Sequence, residues 1–156
     1  MKTASIVEIK KELSHKSYEE LAELCLHLSR FKKENKELLT YLLFESHNED
    51  GYIESVKGYI DEQFELVNTS SYFYIRKSAR KILTHTKKYI RYSKTKETEV
   101  ELLLYFCQKL KGFSPSIKYS TQLQNMYNRQ IILIKKLVGT LHEDLQYDYK
   151  LLLEDL

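Results

Sequence analysis

The sequence predicts an all-α protein, a compact multi-helix bundle of about seven amphipathic helices, and two observations carry that prediction. Four Gly and one Pro stand in 156 residues, where usual frequencies would give about eleven and eight. Both residues interrupt helices and populate turns, so their scarcity favours long helices joined by short connections. The second observation is periodicity. Apolar residues recur at three- and four-residue spacing along most of the chain, and no stretch alternates as a strand does. Tyr72-Phe73-Tyr74-Ile75 is short and leads straight into helical spacing.

The elements follow in order. Residues 5–13 form a short first helix with Ile6, Ile9 and Leu13 on one side, and residues 14–16 break it. Ser17 with Glu20 is a capping-box pair: the hydroxyl accepts from a free backbone N–H while the carboxylate reaches back. It introduces a second helix to about Phe31, with Leu21, Leu24, Cys25 and Leu28 at helical spacing. Asn35 is the expected cap of a third helix that carries Leu38, Leu39, Leu42 and Leu43. A turn at 48–51 precedes a fourth helix with a stripe of Ile53, Val56, Ile60, Phe64 and Val67, flanked by Tyr52 and Tyr59.

The fifth helix covers about 71–92. Thr98 with Glu101 suggests a second capping box, opening a helix at 98–111 whose residues 100–107 are apolar nearly all round. Such a helix belongs in the centre of the fold. Residues 112–116, with Pro115, make the strongest break of the second half. A long C-terminal helix starts near Ser120, and Gly139 or the His142-Glu143-Asp144 cluster bends or divides it. No period holds across three units, which argues against a repeat architecture.

Length predicts a single all-helical domain over 1–156, burying about two-thirds of the surface of its extended chain. An apolar share of 42 % and a charged share of 30 % are ordinary for a folded chain. Thirteen Tyr without a Trp are unusual; a Tyr buries its ring while its hydroxyl reaches water, which suits helix flanks in a small bundle. Cys25 and Cys107 both lie in apolar runs and are expected as packed, reduced core residues. Residues 1–11 lack the apolar stretch of a secretory signal, and no eighteen apolar residues run together. The expectation is a cytoplasmic protein without a membrane span.

Charge is distributed unevenly. Residues 66–96 contain nine Lys or Arg and no Asp or Glu, whereas residues 1–65 hold nine basic against fourteen acidic residues. With Ile75 at the origin and 100° per residue, Tyr72, Ile75, Ala79, Ile82, Leu83, Thr86, Tyr89 and Ile90 gather within a sector of about 120°, facing the core. Arg76, Arg80, Lys87, Arg91 and Lys94 lie on a neighbouring sector, which Lys77, Lys81 and Lys88 extend. Tyr74, His85 and Tyr92 share the far margin.

Ordinary solvated faces mix signs, because opposite charges four apart support a helix and like charges oppose it. Here Arg76 with Arg80, Lys77 with Lys81 and Lys87 with Arg91 set like against like. Acids of residues 1–65 folding back, or an external anion, would offset that repulsion. The candidate anion- or nucleic-acid-binding residues are therefore Arg76, Arg80, Lys87, Lys88, Arg91 and Lys94, with Tyr side chains available for unpaired bases. No zinc-finger, RNP or KH pattern accompanies them.

No catalytic or metal signature is present. His15, His27, His47, His85 and His142 are scattered, none with a His or Cys three or four residues away. His142-Glu143-Asp144 are consecutive and point in three directions on a helix, so they form no local triad. No Gly-rich phosphate loop exists. No cofactor and no small-molecule substrate are indicated. Ile131-Ile132-Leu133-Ile134 and Leu151 to Leu153 offer apolar side chains for a homodimer seam. The function expected is that of a non-enzymatic interaction module acting by protein–protein or self-association. The alternative is sequence-indifferent contact with nucleic-acid phosphates through the basic helix 71–94.

Overall fold

Short-range hydrogen bonding sets the helix ends. The computed structural model describes Met1–Leu156 and contains α1 (Ile6–Leu13), α2 (Tyr18–Phe31), α3 (Lys33–Thr40), α4 (Glu49–Glu65), α5 (Tyr72–Ser93), α6 (Lys96–Lys111), α7 (Thr121–Val138) and α8 (Glu143–Glu154). A π-turn occupies Tyr41–Glu45 and a 3-10 turn Ile117–Tyr119; there are no strands. The expected capping box at Ser17 and Glu20 is formed, and Ser5 with Glu8 forms another. Asn48 caps α4 by accepting from the Gly51 N–H at 3.1 Å. A Cβ on Gly51 would stand 2.4 Å from the Asn48 amide, so glycine there makes room for the cap.

Two caps differ from expectation. Asn35 does not start α3, which begins two residues earlier after Lys32; its amide instead donates to the Leu28 carbonyl at 2.8 Å, serving the open end of α2. Thr98 lies inside α6, whose N-cap is Thr95. The Thr98 side chain is fully buried and its hydroxyl donates to Glu49 Oε1 at 2.5 Å, so a tertiary partner displaces the local one. The last expected helix is two helices. Gly139 ends α7, and His142 starts α8 by accepting from the Asp144 N–H.

The chain forms two compact units, Met1–Phe44 and Glu45–Leu156. In the first, α2 packs on α3. None of α1, α2 or α3 contains a fully buried residue. The leucines of α2 keep their helical spacing yet stay open, with Leu28 56 % exposed. Cys25 is exposed as well, contrary to its expected place in a core.

In the second unit α6 is the central helix and touches α4, α5 and α7. Val100, Leu102, Leu103, Phe106, Cys107 and Leu110 are completely shielded from water, as the apolar run predicts. Phe64 of α4 packs against Phe106 with ring centroids 5.8 Å apart. Burial pushes the Cys107 thiol up to about 12, because a thiolate has no solvation there. Tyrosine hydroxyls tie distant segments. Tyr52 donates to the Tyr89 carbonyl, Tyr72 to the Ser116 carbonyl and Tyr127 to the Leu156 carbonyl.

Candidate nucleic-acid interface

The core side of α5 is built as its spacing predicts: Ile75, Ala79, Ile82, Leu83, Thr86 and Ile90 are buried. The Thr86 hydroxyl satisfies itself on the Ile82 carbonyl at 2.9 Å. Burying that sector turns the cations outward. Lys77, Arg80, Lys81, Lys87, Arg91 and Lys94 are exposed, and Arg76 and Lys88 are half-buried. Arg76 lies over the Phe73 ring at 5.7 Å and Lys88 over the Tyr89 ring at 5.1 Å. Within the unit Glu45–Leu156, no carboxylate stands within 4.0 Å of Arg76, Lys77, Arg80, Lys81, Lys87, Arg91 or Lys94.

Two acids of α4, Glu54 and Asp61, find their partners within α4 or on α6. Lys57 of α4 takes Glu54 and, from α6, Glu101, both at 2.8 Å. Asp61 faces α6, where Lys109 stands at 2.8 Å and the Tyr105 hydroxyl donates at 2.7 Å. Burial pushes the Asp61 carboxyl up, but the bonds from Lys109 and Tyr105 outweigh it and hold the group below its ordinary value. Glu49 accepts from both Ser93 and Thr98 across the α5–α6 turn. The ion pairs of Lys57 and Asp61 therefore join α4 to α6.

The tyrosines do not form the stacking margin expected along α5. Tyr92 is buried, with its ring against Tyr89 at 6.1 Å. The His85 Nδ1 is 2.7 Å from the Tyr59 hydroxyl. Tyr74 alone of the three remains exposed, at 45 %, edge-on to Phe73.

The C-terminal half of the cationic face borders a groove of about 670 Å³, which Lys87, Arg91 and Lys94 share with Ile90, Glu99 and Leu133. The expected site residues thus divide. Lys87, Arg91 and Lys94 come together at the groove, Arg76 and Arg80 lie further along the helix, and Lys88 does not line the groove. Sequence reasoning did not place Glu99 or Leu133 beside the cations: α6 and α7 bring them in, no local pattern marks Glu99, and the apolar run around Leu133 suggested a homodimer seam instead. Lys94 closes α5 in the left-handed region, at φ 58°, where glycine is the usual residue.

No group of three or more His, Cys, Asp or Glu is placed to hold a metal ion. No helix is long and apolar enough to cross a membrane. No protein family, characterised protein or solved structure matches the chain.

Proposed function

We propose that the protein is a non-catalytic binding module whose working surface is the outward face of α5, which contacts the phosphate backbone of RNA or DNA without reading sequence. The observation that carries this reading is the set of seven cations on and just beyond one helix with no carboxylate of their own unit within 4.0 Å. Like charges at four-residue spacing oppose the helix, and a polyanion relieves all of them at once. Condensed counterions released from the nucleic acid supply the driving force.

The test is fluorescence anisotropy with single- and double-stranded probes at two salt concentrations. Binding should weaken steeply with salt; Gln in place of Arg80, Lys87 or Arg91 singly should flatten that dependence, and Glu in place of all three should abolish binding. Absence of binding at low salt would remove the reading.

A second reading, protein–protein or self-association, rests on a different observation. In the first unit α2 leaves Leu24, Leu26, Leu28 and Phe31 exposed at 41–79 %, and Cys25, Leu28, Leu38 and Leu42 line a groove of about 210 Å³. Apolar surface of this kind marks association sites. Light scattering after size exclusion tests the homodimer form; a strict monomer at high concentration would count against it.

A further inference from the structure

We infer that the groove bordered by the C-terminal half of α5 seats one nucleotide of a single strand, with its phosphate on Lys87, Arg91 and Lys94 and its base against Ile90 and Leu133; this deepens, and rests on, the polyanion reading above. The lining is divided by chemistry. Three cations come from α5 and its end, while Ile90 and Leu133 supply apolar surface between α5 and α7. A volume of about 670 Å³ falls within the range of sites for small organic ligands, about 300–1,000 Å³. A bare phosphate would use only the cationic part, and a duplex keeps its bases stacked away from any such floor. An unpaired nucleotide uses both.

Two further observations fit that ligand. Glu99 lines the groove without pairing to any of the three cations. It repels a phosphate toward α5 and leaves an acceptor free for a base amino group. Lys94 holds a left-handed backbone, φ 58°, that disfavours any residue with a Cβ; the position nonetheless carries a cation at the groove. A strand is assigned instead of a free nucleotide because the cations continue past the groove. Arg80 lies about 10 Å along the axis from Lys87 and Arg76 about 16 Å, at 1.5 Å per residue, within reach of neighbouring phosphates only.

The experiment measures anisotropy of a labelled oligodeoxyadenylate and of a duplex of equal length, with adenosine monophosphate as competitor, at about 50 and 200 mM salt. Thermal melting of each variant accompanies it. The strand should bind more tightly than the duplex, and Leu133→Ser should weaken the strand about fivefold, the scale of one lost base contact, without changing duplex binding. Lys94→Gly should raise the melting temperature and weaken the strand, while Glu99→Gln should tighten it and keep the fold. A duplex bound as tightly as the strand, with Leu133→Ser and Glu99→Gln silent, would overturn the groove assignment and leave the polyanion reading standing. Competition by the mononucleotide at concentrations matching the strand would overturn the assignment of a strand. If neither nucleic acid binds at the lower salt, the polyanion reading falls, and the groove assignment with it.

Discussion

The Asp61 carboxylate of α4 lies 2.8 Å from the Lys109 ammonium of α6. This one pair bears on the charge puzzle of the chain. Residues 1–65 carry an excess of acids and residues 66–96 a run of cations, and simple neutralisation would bring the two together. Asp61 instead meets α6, and so does the Glu54–Lys57–Glu101 bridge. Seven cations on and just beyond α5 are left without a carboxylate partner in their own unit.

That arrangement has a pH signature. Asp61 titrates below its ordinary value in the folded protein, so its pairing stabilises the fold above the unfolded-state value. The contribution disappears as pH falls through the lower, folded-state value. Melting temperatures measured from about pH 6 to 3 should fall less steeply in Asp61→Asn than in the native protein. Parallel curves would show that Asp61 adds nothing to acid sensitivity.

Unrelieved repulsion along α5 predicts a stabilising substitution. Arg80→Gln removes the like-charge contact with Arg76 one turn away and should stabilise the fold by a few tenths of a kcal/mol at low salt. Added salt should shrink the difference, since exposed charges are screened. A lowered melting temperature would mean that the guanidinium has a carboxylate partner in solution.

The buried hydroxyl of Thr98 makes its bond to Glu49 at 2.5 Å. Thr98→Val keeps the shape but leaves the carboxylate one donor short, a loss of about 1–3 kcal/mol. Thr98→Ser, which retains the hydroxyl, should lose less. Chemical denaturation of both variants checks this, and equal losses would assign the effect to packing alone.

The two thiols should differ sharply in reactivity. Cys25 is exposed, whereas Cys107 is completely buried and its thiol is pushed up to about 12. A thiol reagent at neutral pH should label one cysteine of the folded protein quickly and the second only on unfolding. Mass spectrometry of labelled peptides decides it: prompt modification of Cys107 would contradict its place in the core.

Much of the helical layout was legible in the residues. The apolar circumference of 100–107 marks the central helix, because only a helix contacted on several sides tolerates Leu, Phe and Cys all round. The stripe Ile53, Val56, Ile60 and Phe64 is buried as its spacing predicts. Caps were less legible where a distant group competes. Thr98 resembles an N-cap by sequence, but Glu49, which stands 49 positions earlier, takes its hydroxyl. The leucines of α2 have core spacing and remain exposed, because periodicity reports which side chains share a face and not whether anything covers that face.

The candidate site divides in the same way. Local sequence by itself determined that the cations of α5 share one sector, since 3.6 residues per turn place them there once Ile75, Ala79, Ile82 and Ile90 seek the core. Whether carboxylates would cover that sector was decided only by tertiary packing, which joins Lys57 and Asp61 of α4 to α6. Packing also brought Glu99 and Leu133 to the cationic edge of α5. Ion pairing and groove formation depend on which helix faces meet, and no spacing within a single helix encodes that.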